Sequence, residues 1–261
     1  MSAFLSFKNT QVHYTENGAG TAVVLLHGFL ENLQMWDATV ATFSKKYRVV
    51  CIDLLGHGAT ENSGYIHTML QMAEVVQAVL SHLKIRKSIF VGHSMGGYVA
   101  LAFAELYPDN VKGLCLMNST SRADSDAKKV QRDRAIAVVK ENHKSFVRNS
   151  IPMLFRPKNR KLYREAINEV KKVALETSKQ GIVAALEGMK IRQDREVLLH
   201  FGPYPKMMLI GEKDPVLKSD DLKQQVQNTN TTVVYFSEGH MSHIENKEAF
   251  LEALSGFFKS C

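Results

Sequence analysis

The sequence predicts an α/β fold: a mostly parallel, twisted sheet flanked by helices, with one all-helical insertion. Three observations predict it. Short, continuous apolar runs rich in β-branched residues recur along the chain, as strands buried on both faces of a parallel sheet require. Helical periodicities fill the gaps between most of these runs, so strand and helix alternate. One stretch, residues 121–200, carries helical patterns and no strand-like run. The 261 residues suit a single α/β core, assigned to 1–120 and 201–261, with 121–200 as a helical cap.

Phe4–Phe7 and Val12–Tyr14 alternate around a Lys8-Asn9-Thr10 turn and predict a hairpin. Buried strands are predicted at Val23–Leu26, Val49–Ile52, Ser88–Val91, Leu114–Met117, Met207–Ile210 and Thr232–Phe236. Helices are predicted at Leu33–Phe43, Thr68–Leu83, Met95–Tyr107, Asp221–Gln227 and Lys247–Phe258. Thr68–Leu83 is the clearest, with Met69, Met72, Val75, Val76, Val79, Leu80 and Leu83 on one face. In the insertion, Ala127–Asn149, Lys158–Thr177 and Gln180–Met189 are helical patterns punctuated by Pro152 and Pro157.

The net charge of +7 sits in the insertion, which holds 19 Lys and Arg against 10 Asp and Glu. The plain reading is a solvated helical surface; the sharper one is a segment that attracts anionic substrates. No nucleic-acid-binding module is present. No apolar run approaches the roughly 18 residues of a membrane span. Residues 1–8 lack the basic start of a secretory signal. Of Cys51, Cys115 and Cys261, the first two lie in apolar runs, which points to buried thiols and a reducing compartment. The expectation is a cytoplasmic protein that binds neither nucleic acid nor membrane.

Four motifs carry chemistry, each directly after a predicted strand. Gly92-His93-Ser94-Met95-Gly96 has the form G-x-S-x-G between a strand and a helix, the context in which a sharp turn lifts a serine hydroxyl out of the sheet. His27-Gly28-Phe29-Leu30 supplies a loop whose Phe29 N–H, with that of Met95, is placed to hold an oxyanion. His27 itself is read as structural. Asp214 in Gly211-Glu212-Lys213-Asp214-Pro215 is the acid, since a carboxylate beyond a parallel strand points into the ligand crevice. His240 in Ser237-Glu238-Gly239-His240-Met241 is the base, with His243 as its rival. Leu30, Trp36 and Phe155 are assigned to the substrate pocket, with Ile151, Met153 and Leu154 as further lining from the insertion.

With Ser94, Asp214 and His240 in that order, the chain resembles the α/β-hydrolase family, especially its small esterase-like members. Asp53-Leu54-Leu55-Gly56-His57-Gly58 adds the family's D-x-x-G-H-G turn. The resemblance covers Val23 to the C-terminus and implies a serine esterase with a helical cap, no metal or cofactor, and a small-molecule ester as substrate. Ser94 stands where dehalogenase-like and epoxide hydrolase-like members carry aspartate, and Met117-Asn118-Ser119 offers no carboxylate at the family's other acid position. Carbon–carbon bond hydrolases, acyltransferases and lyases share such a triad. A ligand-binding receptor on the same scaffold has no need of all three residues.

Overall fold

A computed structural model describes residues 2–261. β1 (Ser2–Phe7) and β2 (Thr10–Asn17) form an antiparallel hairpin. Its turn residues Lys8 and Asn9 have φ of 47° and 62°, the conformation a two-residue turn of type I′ requires. The apolar runs become β3 (Ala22–Leu26), β4 (Arg48–Ile52), β5 (Ser88–His93), β6 (Val111–Met117), β7 (Lys206–Gly211) and β8 (Thr231–Phe236). They make one sheet of order β1-β2-β4-β3-β5-β6-β7-β8, in which β2 meets β4 antiparallel and every later pairing is parallel.

The helices are α1 (Asp37–Phe43), α2 (Met69–His82), α3 (Met95–Leu106), α4 (Asp126–Leu154), α5 (Arg164–Ala174), α6 (Lys179–Lys190), α7 (Val197–Phe201), α8 (Ser219–Gln225), α9 (Ser242–Glu245) and α10 (Lys247–Ser260). Strand alternation sends side chains to opposite faces, and two cores result. Val24, Leu26, Val50, Ile52 and Phe90 pack toward α2 and α3. Val23, Leu25, Val49, Cys51 and Val91 pack toward Trp36, Phe43 and the α10 aromatics Phe250, Phe257 and Phe258.

The insertion between β6 and β7 holds α4 to α7 and no strand. Its detail departs from expectation. α4 runs to Leu154, past the predicted end at Asn149, with Pro152 in its last turn and a break at Asn142 (φ −149°, ψ 85°). The Asn142 side chain accepts from the Ser145 N–H at 2.9 Å, restarting the helix as an N-cap does. α5 begins six residues later than predicted, after a short 3₁₀ turn at Pro157–Asn159. Leu33–Phe43 is a 3₁₀ turn (Leu33–Trp36) followed by α1.

Topology sets where a site can form. β3 lies between β4 on one side and β5 on the other, so chain order reverses there and a crevice opens beyond the carboxyl ends of the strands. Among the described residues, no helix is long and apolar enough to cross a membrane.

Candidate active site

Ser94 sits between β5 and α3 with φ +49° and ψ −113°, a conformation that non-glycine residues rarely hold. The turn closes only because its flanks lack side chains. A Cβ on Gly96 would lie 2.2 Å from the Leu26 carbonyl oxygen, and one on Gly92 would lie 2.4 Å from that of Gly96. The Ser119 hydroxyl donates to the Ser94 carbonyl at 2.7 Å. Ser94 lines a cavity of about 770 Å³ together with Phe29, Tyr98, Met153, Leu154 and His240.

His240 and Asp214 are joined. His240 Nδ1 donates to Asp214 Oδ2 at 2.6 Å, and both side chains are almost fully buried. That bond fixes the proton on Nδ1 and leaves Nε2 as an acceptor. Burial alone would raise the Asp214 pKa. The neighbouring His240, with backbone N–H groups of Val216 and Leu217 at 2.7 and 3.0 Å, overcomes burial and holds it below the ordinary value. Asp214 Oδ2, the oxygen that His240 bonds, also accepts from Asn118 Nδ2 at 3.2 Å, and that amide bonds the Gly239 carbonyl as well. Among the described residues, no hydrogen bond joins Ser94 Oγ to His240; the two share the cavity wall. His243, the rival base, is turned away from Asp214 onto Trp36 and His93, and burial pushes its pKa down to about 4.

The loop after β3 brings Phe29 to the cavity. Neither its N–H nor that of Met95, the first residue of α3, donates a backbone hydrogen bond among the described residues; a helix start leaves such donors open. His27 is structural: Nδ1 donates to the Gly28 carbonyl at 2.8 Å while Nε2 accepts from the Leu54 N–H at 2.9 Å.

Sequence reasoning missed the buried pair that holds this loop. Glu31 Oε2 accepts from the Gly28 N–H at 2.6 Å and from His93 Nδ1 at 2.7 Å. His93 Nε2 donates to the His240 carbonyl at 3.0 Å. Both ring nitrogens face acceptors, so His93 is an imidazolium. Burial works to lower the His93 pKa, but Glu31 reverses it and the net shift is upward. Burial likewise opposes ionisation of Glu31, but His93 drives its pKa down to about 2. One charged pair thus ties the β3 loop, the serine turn and the histidine loop together. Asn118 likewise has a role that the sequence does not reveal, since the lack of a carboxylate at Met117-Asn118-Ser119 says nothing of its bonds to Asp214 and Gly239.

Three substrate-pocket assignments are corrected. Trp36 is fully buried in the core under the sheet, its ring centroid 6.4 Å from that of Phe250. Leu30 turns inward at φ +64° and lines a separate cavity of about 470 Å³ beside α5 and α9. Phe155 is fully buried, 6.4 Å from Tyr163, and Ile151 is buried with it. Size and apolarity do not distinguish a core residue from a pocket residue. Met153 and Leu154 do reach the cavity.

A family described as alpha/beta hydrolase fold matches residues 21–247. A 3-oxoadipate enol-lactonase 1 of Acinetobacter baylyi is 28% identical over 264 residues, covering 97% of this chain and 93% of that one. An acetyltransferase component of the acetoin cleaving system of Pseudomonas putida is 25% identical over 92% of this chain, which spans only 64% of that relative's length. A malate-bound thermophilic esterase from Thermogutta terrifontis superposes with a TM-score of 0.90 at 27% identity, covering 99% of this chain and 98% of that one.

Proposed function

The chain belongs to the α/β-hydrolase family, and we propose that it is a serine hydrolase that cleaves carboxylic esters of small molecules through an acyl-enzyme on Ser94. The observation that carries this is the joint placement of a strained, cavity-facing Ser94 and a His240 held by Asp214 on the same cavity wall.

In the proposed mechanism, Ser94 Oγ attacks the ester carbonyl as His240 Nε2 takes its proton. Asp214 stabilises the imidazolium that forms. The tetrahedral oxyanion is held by the N–H groups of Phe29 and Met95, which are open for it. His240 then protonates the leaving alkoxide, and the acyl group stays on Ser94. Water gives its proton to His240 as it adds to the acyl carbonyl, and return of that proton to Ser94 frees the acid. Residues 121–200 act as the cap: Met153 and Leu154 approach the acyl group from α4, and the His240 N–H is bonded to the Leu154 carbonyl at 3.1 Å.

The test is labelling with a fluorophosphonate and turnover of p-nitrophenyl esters from acetate to octanoate. Wild type is expected to carry the label on Ser94 and to turn over the short and medium esters, and Ser94→Ala to do neither. An unlabelled Ser94, or full turnover by Ser94→Ala, overturns the reading.

A further inference from the structure

We propose that the cavity contains a carboxylate-binding subsite made by Lys128, Arg132 and Arg192, so that the ester cleaved at Ser94 carries a free carboxylate away from its scissile bond. This rests on the serine hydrolase reading above and names the substrate class of the same site.

All three cations line the cavity that Ser94 and His240 line. Lys128 and Arg132 stand four residues apart at the start of α4, so they share one face of the helix. Arg192 follows α6 and lies over the Tyr98 ring, 4.0 Å from guanidinium carbon to ring centroid. Their shared counter-ion is Asp124. It binds the Arg132 fork through both oxygens and Arg192 Nη1 at 2.6 Å. Three cations therefore face one carboxylate, and that carboxylate is saturated by the two arginines.

What is left over points at a ligand. The Lys128 ammonium has no hydrogen bond or ion pair among the described residues, although it is half-buried. Arg192 Nε is buried and unpartnered. Burial, with Arg132 and Arg192 beside it, presses the Lys128 pKa below its ordinary value. A bound anion would relieve that. The cavity's other carboxylates do not answer the need: Glu31 is bonded to His93, and Asp221 lies beside Arg122, which is itself paired with Glu196. Part of the positive excess of residues 121–200 is thus not idle surface charge. A carboxylate seated here would offer Lys128 and Arg192 the charge-assisted bonds they lack and would orient the rest of the molecule toward Ser94.

The test compares kcat/KM for p-nitrophenyl hydrogen succinate, glutarate and adipate with that for neutral p-nitrophenyl esters of matched chain length. Wild type is expected to prefer the best acidic ester by about 10-fold or more, the worth of one charge-assisted hydrogen bond. Lys128→Gln should erase that preference, Lys128→Arg should keep most of it, and Lys144→Gln, the same charge loss at an exposed site of α4, should leave the ratio unchanged. An unchanged ratio in Lys128→Gln, or an equal fall in Lys144→Gln, overturns the subsite. Calorimetric titration with glutarate, against neutral glutaramide, reads the subsite without turnover. Glutarate binding that depends on Lys128 in a protein that hydrolyses no ester keeps the subsite and rejects the hydrolase. Ester turnover with neither acidic preference nor glutarate binding does the reverse.

Discussion

Glu31→Ala is the perturbation that tests whether the buried pair builds the site. The variant removes the acceptor of the Gly28 N–H bond (2.6 Å) and of the His93 Nδ1 bond (2.7 Å), leaving an imidazolium with side-chain exposure of 1% and no counter-ion. Breaking one partner of a buried ion pair costs about 3–5 kcal/mol. The pH dependence gives the reasoning a sharper edge. The Glu31 pKa is depressed to about 2, so its share of stability is present above the ordinary carboxylate value and is lost as pH falls toward 2. The His93 pKa is raised, so its share is full below the ordinary imidazole value and is lost as pH rises through the elevated one. The stability gap between wild type and Glu31→Ala should therefore be largest between about pH 4.5 and 6.5 and shrink on either side. Urea denaturation of both proteins across pH 4 to 8 measures it. Turnover should fall through kcat, by about 100-fold, because the Gly28–Phe29 loop loses its anchor next to the reacting carbonyl. A gap below about 1 kcal/mol, or one that is flat over that range, refutes the account.

Gly96→Ala should destabilise the protein by about 1–3 kcal/mol and lower kcat, since the new methyl meets the Leu26 and His27 carbonyls at 2.2 and 2.7 Å; thermal melting and ester kinetics check both. Ser94→Gly should melt higher than Ser94→Ala by about 2–4 °C, because glycine relieves roughly 1 kcal/mol of backbone strain at φ +49° and alanine does not. Asp214→Asn should lower kcat by about 10³–10⁴ with little change in KM, since an amide turned to bond His240 or the Val216 and Leu217 N–H groups presents a donor to a donor on one side; a KM-dominated loss would contradict an orienting role.

The strands and the reversal of chain order were legible because each buried strand is a local run of apolar residues, and buried parallel strands admit little else. The strand-end positions of Ser94, Asp214 and His240 were legible because each sits in a short motif immediately after such a run. Glu31 and His93 were not, because their partnership spans 62 residues and nothing in either neighbourhood encodes the other. His93 occupies the variable position of G-x-S-x-G, so the motif says nothing of its charge. Asn118 acts through φ +44° and three bonds to distant loops, again with no local trace. The misplacement of Trp36 has the same origin. Proximity to a site in sequence placed it at the pocket, while its side chain points to the opposite face of the sheet and packs on α10.

The missed residues explain how groups from separate loops are held still before a substrate arrives. Glu31 fixes the β3 loop and, through His93, the carbonyl of His240. Asn118, beyond β6, bonds the Asp214 carboxylate beyond β7 and the Gly239 carbonyl beyond β8, and its own oxygen takes the Ser242 hydroxyl. Ser119 holds the Ser94 carbonyl. These polar groups are buried or partly buried and, apart from Glu31 Oε1, spend their bonds on one another, so the arrangement resists local loosening in the way a largely satisfied buried network does. Among the groups it leaves open are the Ser94 hydroxyl and the N–H groups of Phe29 and Met95. Under the proposed mechanism these are the groups that touch the scissile carbonyl. Placing them in advance means that little reorganisation accompanies the chemical step.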